Sequence, residues 1–192
     1  MNLPNKLSLI RIFLIPVMIF FYLADFVPYG KIIAIAVFIL AAFTDFLDGK
    51  IARKYNLVTN LGKLLDPIAD KLLVMSALLL VVIDYTIPHP YGVIIAIIII
   101  GRELLISAFR QIAASKNVVM AADMFGKIKT FTQDIALPIL FLLSFLSYNV
   151  SANATFVLIV QIVGYVMIGL ATLFTILSGA NYMIKNKQVL KD

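Results

Sequence analysis

Three observations predict an all-α integral membrane protein of six transmembrane helices with both termini cytoplasmic. The 192 residues are 62% hydrophobic and only 14% charged, whereas an ordinary soluble domain is roughly half apolar and a quarter charged. Six stretches each supply the roughly 20 helical residues needed to cross a hydrocarbon core about 30 Å thick. Finally, every one of the 16 Lys and Arg residues except Lys31 falls on one side if the N-terminus is inside. Cytoplasmic loops collect cationic side chains, and the opposite orientation would carry nearly all of them across.

The same composition excludes several classes. No polar stretch is long enough for a second, soluble domain, so residues 1–192 read as a single membrane-embedded unit. Cys is absent, which removes disulfide and thiolate chemistry. The net charge of +6 follows the cytoplasmic loops and offers no solvated basic face of the kind a nucleic-acid binder presents. The first apolar run lacks a small-residue cleavage site after it, so it is expected to be retained.

The first span is expected from about Leu7 to Leu23, with Pro4 and Asn5 suiting a helix start. A second covers about Lys31 to Arg53 and a third about Gly62 to Ile83, ended by the two prolines of the Asp84–Pro90 loop. The fourth runs from about Tyr91 to Ser115, the fifth from about Met124 to Ser147, and the sixth from about Ala154 to Ile184. No internal repeat is visible, so the inverted-repeat design of many transporters has no support.

Inside these apolar segments lie four aspartates, Asp45, Asp48, Asp66 and Asp70. A carboxylate at bilayer depth costs about 2.5–3.5 kcal/mol on insertion scales, so such charges are usually functional. At about 100° per residue, Asp45, Asp48, Gly49 and Ala52 share one face of the second helix, and Gly62, Asp66 and Asp70 share one face of the third. Two antiparallel helices would then aim two carboxylates each at one spot near the cytoplasmic interface. Like charges so close cannot all stay ionised without counter-charge. Hard oxygen donors select Mg²⁺, Mn²⁺ or Ca²⁺, and a pair of such ions suits in-line phosphoryl displacement. The structural alternative is a network of salt bridges with Lys50, Arg53, Lys63 and Lys71, which does not require interleaved glycines.

The full pattern, Asp45-x-x-Asp48-Gly49-x-x-Ala52-Arg53, eight residues, then Gly62-x-x-x-Asp66-x-x-x-Asp70, resembles the signature of the CDP-alcohol phosphotransferase family. The resemblance implies that family's six-helix fold, a homodimer, and attack of an alcohol on a CDP-linked lipid with release of CMP. It further implies that Asp45, Asp48, Asp66 and Asp70 hold Mg²⁺ or Mn²⁺, two ions to a site, and that Asp70 also takes the proton of the attacking hydroxyl. Gly49, Ala52, Arg53 and Gly62 would then belong to the CDP-lipid site. Asn5, Ser8 and Arg11, spaced at three along the first helix, resemble the nucleotide-side wall, or else anchor the helix at the interface. Thr44 can bond a phosphate or its own helix backbone.

Gly101-Arg102-Glu103 follows an unbroken apolar run and reads as a helix brace, with substrate contact as the alternative. Arg110, Lys127 and Lys129 form a basic cluster on the cytoplasmic side, joined by Gln133, and the helix beginning near Met124 aims its N-terminus the same way. The cluster predicts a phosphate on the acceptor, although positive-inside bias alone can also place lysines there. Within the family, the opening residues and Gly126-Lys127-Ile128-Lys129-Thr130 most resemble the phosphatidylglycerophosphate synthases. That implies CDP-diacylglycerol as donor and sn-glycerol 3-phosphate as acceptor, in the cell membrane. The alternatives are another acceptor (inositol phosphate, serine or phosphatidylglycerol) or a divalent-cation transporter. Asp25, Asp84 and His89 read as loop residues, and Asp134 as the partner in an internal salt bridge.

Overall fold

The computed structural model describes residues 3–54, 60–115, 124–148 and 153–185, with side chains described for 5–44, 62, 65–113, 124–148 and 153–185. Among them the chain forms six α-helices: α1 (Leu3–Leu23), α2 (Gly30–Lys54), α3 (Asn60–Ile83), α4 (Tyr91–Ser115), α5 (Met124–Ser147) and α6 (Ala154–Lys185). Each expected span corresponds to one helix. The largest departure is at the start, where α1 begins at Leu3. Pro4 thus sits in its first turn, where a missing N–H costs nothing.

Four helices, α1, α4, α5 and α6, are long and apolar enough along their described length to cross a membrane. The described apolar part of α2, Gly30–Thr44, is shorter, and α3 begins with Lys63, Asp66, Asp70 and Lys71 before turning apolar. The outside of the bundle is oily. Phe13 is 71% exposed, and Ile97, Phe131 and Ile184 are also exposed, as expected of helices whose outer faces meet lipid instead of water.

α5 packs most extensively on α6, α1 packs on α2 and α3, and α4 touches α3 and α6. Gly164 permits the α5–α6 approach, since a Cβ there would stand 3.1 Å from the Leu140 side chain. Gly30 is tighter still: a Cβ would lie 2.4 Å from the Phe21 carbonyl oxygen, so only glycine fits where α1 turns into α2. The core joins Met18, Tyr22, Phe38, Leu73, Leu78 and Phe141, all essentially fully buried. The Tyr22 and Phe141 rings stand 4.4 Å apart, a spacing at which aromatic pairs add to plain area burial.

One end of this bundle is fastened by polar groups. Asp84, just past α3, accepts hydrogen bonds from Tyr22 (3.1 Å), Lys31 (2.9 Å), Tyr148 (3.2 Å) and the Ser144 hydroxyl. Lys31 also donates to Ser144 at 2.6 Å and lies 4.0 Å from the centre of the Tyr148 ring. Burial would push the Asp84 carboxyl up, but the Ser144 hydroxyl, the Lys31 ammonium and the Tyr22 phenol hold it below its usual 3.8. The expected loop aspartate is therefore the knot tying α1, α2, α3 and α5 together, and Lys31, the lone cation assigned to that side, is its ion-pair partner.

Candidate active site

At the opposite end, α3, α4, α5 and α6 open around a cavity of about 980 Å³ whose walls include Asp66, Asp70, Arg102, Arg110, Lys127 and Tyr182. The helix geometry explains the convergence. Asp66 and Asp70 lie one turn apart on α3. Arg102 and Arg110 come from α4, Lys127 from the first turn of α5, and Tyr182 from the end of α6. Pro67, directly after Asp66, also lines the cavity. Its ring removes a helical hydrogen bond, and an exposed carbonyl is tolerated at membrane depth where it borders such a cavity.

The α1 residues form the wall behind Asp66. Ser8 is fully buried and donates its hydroxyl to the Asp66 carboxylate. Asn5 and Arg11 are buried beside it, and the Arg11 Nε donates to the Ala41 carbonyl on α2 at 3.2 Å. The spacing of three thus turns all three polar groups inward, away from the lipid interface. Thr44 donates to the Ala41 carbonyl of its own helix at 2.7 Å. Asp45, Asp48, Gly49, Ala52 and Arg53 belong to the helical end of α2, and their side chains lie outside the described residues. Gly62 is buried near the start of α3.

The basic cluster divides into two environments. Arg110 and Lys127 line the wide cavity, with the Arg110 Nε donating to the Tyr182 hydroxyl at 3.3 Å. Lys129 is only 4% exposed and donates to Glu103 at 2.6 Å. Glu103 also accepts from its neighbour Arg102 at 3.1 Å. Arg102 in turn donates to Ser178 on α6 at 2.5 Å. It passes between two glycines: added Cβ atoms at Gly126 and Gly179 would each stand 3.4 Å from its side chain. Arg102 and Glu103 therefore brace α4 against α5 and α6 while also edging the cavity.

Next to the wide cavity lies a small one of about 30 Å³, which shares Asp70, Lys71, Glu103, Thr130 and Asp134 with it and adds Lys129 and Gln133. Gln133 is 1% exposed, and neither its amide nitrogen nor its amide oxygen has a hydrogen-bond partner among the described residues. Burying an amide unpaired costs about 1–3 kcal/mol.

Sequence reasoning overlooked several lining groups. The sequence marks Lys71 only as a salt-bridge candidate and Asp134 as an internal partner, yet both border the two cavities. Tyr182 had no signal, because a tyrosine near a helix end usually marks the membrane interface.

The donor chemistry suits a divalent cation. Asp66 and Asp70 offer hard carboxylate oxygens to one space, with the Ser8 bond fixing the orientation of Asp66, as supporting hydrogen bonds do around metal-ligating carboxylates. Facing cations, Arg110 and Lys127, equip the same space for phosphate groups.

A family model described as CDP-alcohol phosphatidyltransferase matches residues 1–177. A protein of Bacillus subtilis (strain 168), named CDP-diacylglycerol–glycerol-3-phosphate 3-phosphatidyltransferase, is 39% identical over 99% of this chain and 97% of its own length. One of the same name from Rickettsia bellii is 38% identical over 94% of this chain and 93% of its own. An Arabidopsis thaliana protein, numbered 2 under that name, is 41% identical over 72% of this chain and 64% of its own. With the motif, the helices and the carboxylate-lined cavity in agreement, the chain belongs to the CDP-alcohol phosphatidyltransferase family.

Proposed function

We propose that the chain transfers a phosphatidyl group from CDP-diacylglycerol to sn-glycerol 3-phosphate, releasing CMP, in the synthesis of anionic phospholipid. The observation that carries this reading is a single cavity with Asp66 and Asp70 on one wall and Arg110 and Lys127 on others. The names of the full-length relatives support the same donor and acceptor.

In this reading the acceptor's primary hydroxyl oxygen attacks the phosphorus that carries the diacylglycerol. A new P–O bond forms, the bond to the cytidylate phosphate breaks, and CMP leaves. The hydroxyl proton passes to Asp70, a carboxylate within the shared cavity and able to act as base once within hydrogen-bond reach. Asp45, Asp48, Asp66 and Asp70 would hold divalent ions, Mg²⁺ or Mn²⁺, whose preference for hard oxygen donors four carboxylates meet. Such ions, when bound, neutralise pyrophosphate charge and polarise the phosphoryl oxygen. Gly49 and Ala52 would let the nucleotide approach α2, with Arg53 and the Asn5, Ser8, Thr44 and Gly62 neighbourhood completing the CDP-lipid site. Arg110 and Lys127 bind the acceptor phosphate, and Lys129, paired with Glu103, braces α5 against α4 beside them. The remaining parts of the proposal are six spans with both termini cytoplasmic, the site at the cytoplasmic face of the cell membrane, and a homodimer.

A cation path receives no support from the described residues. Between Asp70 and Asp84, α3 turns Leu73, Ala77, Leu78 and Val81 into the core, each at most 2% exposed. An ion would have no successive polar sites there. The test is CMP release by purified protein given CDP-diacylglycerol, Mg²⁺ or Mn²⁺ and sn-glycerol 3-phosphate. Release that needs both the acceptor and the metal supports the reading, and release indifferent to the acceptor contradicts it.

A further inference from the structure

The geometry points to Gln133 as the residue that recognises the acceptor's secondary hydroxyl, a specificity role that rests on the function proposed above. Four observations lead there. The Gln133 carboxamide is fully buried, yet neither of its polar atoms is bonded to a described residue. It faces a space of about 30 Å³. That space shares Asp70, the proposed base, with the wide cavity. One side of it is apolar, with Val74, Met75, Leu78 and Ile99, while the polar groups Lys71, Glu103, Lys129, Thr130 and Asp134 complete the lining without bonding the Gln133 amide.

Size and polarity decide what fits. A water-sized group needs about 10–15 Å³ of such space, so the recess has room for a carbon with its hydroxyl. The amide has donors on nitrogen and acceptor lone pairs on oxygen. Phosphate oxygens only accept, and would leave the Gln133 oxygen unpaired. A hydroxyl both donates and accepts, and a vicinal diol presents two such groups to one carboxamide. A glycerol phosphate has that diol. With its phosphate toward Arg110 and Lys127 and its diol in the recess, Gln133 holds the secondary hydroxyl and leaves the adjacent primary hydroxyl beside Asp70. Lys129, kept on Glu103, does not compete for it.

The alternative occupant is ordered water, which would satisfy the amide without conferring specificity. The two are separated by comparing sn-glycerol 3-phosphate with 3-hydroxypropyl phosphate, which keeps the chain, phosphate and reacting hydroxyl but lacks the secondary one. Sites built around a substrate hydroxyl strongly reject the analogue without it. For one neutral recess we expect a kcat/KM preference of roughly 10–100-fold for the glycerol compound. Gln133→Met, similar in shape and without hydrogen-bonding groups, should lower kcat/KM for glycerol phosphate far more than for the analogue, so that the preference collapses toward equality. Metal-dependent binding of CDP-diacylglycerol by the variant reports that it is folded. Equal use of both acceptors by the unaltered protein overturns the inference while leaving the proposed function standing, and needs no variant. An equal loss on both acceptors in a folded Gln133→Met overturns it as well. No CMP release with either acceptor sinks the proposed function, and this inference with it.

Discussion

Lys129 and Glu103 form a 2.6 Å ion pair whose side chains are 4% and 17% exposed, and this pair sorts the basic residues near the cavity by task. A cation already engaged with a buried carboxylate serves architecture first, so phosphate capture falls to Arg110 and Lys127. Removing one partner of a buried pair costs up to about 3–5 kcal/mol, less here because Arg102 remains 3.1 Å from Glu103. Lys129→Met should therefore lower the thermal midpoint in detergent sharply, and adding Glu103→Gln should recover part of the loss. A Lys129→Met protein as stable as the parent would contradict the assignment.

Arg110 and Lys127 should behave differently. Each lines the wide cavity, so Arg110→Ala and Lys127→Ala should leave the thermal midpoint nearly unchanged. Losing one charged hydrogen bond to phosphate, worth about 1.5–3 kcal/mol, should raise the glycerol phosphate KM roughly 10–100-fold. Steady-state kinetics at fixed CDP-diacylglycerol would check this. A change in the CDP-diacylglycerol KM instead would move these residues to the donor side.

The two motif aspartates on α3, Asp66 and Asp70, also divide. Asp70→Asn should retain metal-dependent nucleotide binding and lose turnover, because it removes the proposed base. Asp66→Asn should weaken metal-dependent binding itself. Ser8→Ala, which removes the hydroxyl bonded to Asp66, should cost less than Asp66→Asn but act in the same direction. Calorimetric titration of nucleotide with and without metal distinguishes the three.

At the far end, the pH dependence has a fixed sign. The folded Asp84 carboxyl is held below its usual 3.8, against burial, by Ser144, Lys31 and Tyr22. A carboxyl with a depressed folded pKa contributes stability above its unfolded value, and that contribution fades as pH falls through the folded one. Thermal stability should thus drop on acidification below about pH 4, and Asp84→Asn should flatten that drop while lowering stability at neutral pH. The Asp84 negative charge, and then the hydrogen bond that the Tyr148 hydroxyl donates to it, raise the pKa of Tyr148. Tyr148→Phe should therefore weaken the knot without abolishing it.

Much of this arrangement is legible in the sequence, for identifiable reasons. Helices that must bury every backbone group in lipid leave long apolar runs, so all six elements could be placed. The Asp66 and Asp70 pair announced itself because charge at that depth is costly. The Asp84 knot did not, since Tyr22, Lys31, Asp84 and Ser144 are distant in sequence and each alone looks like an ordinary helix-end residue. Lys129 and Lys127 are likewise indistinguishable by spacing. They are two positions apart and so point to different sides of α5, and only the location of Glu103 on α4 shows which one is engaged.

The most direct test of the central claim is competition among acceptors, with CMP release from CDP-diacylglycerol followed in the presence of Mg²⁺ or Mn²⁺. sn-Glycerol 3-phosphate should support release and outcompete serine, inositol, inositol phosphate and phosphatidylglycerol. Equal rates with all of them, or a preference for an acceptor without phosphate, would contradict it.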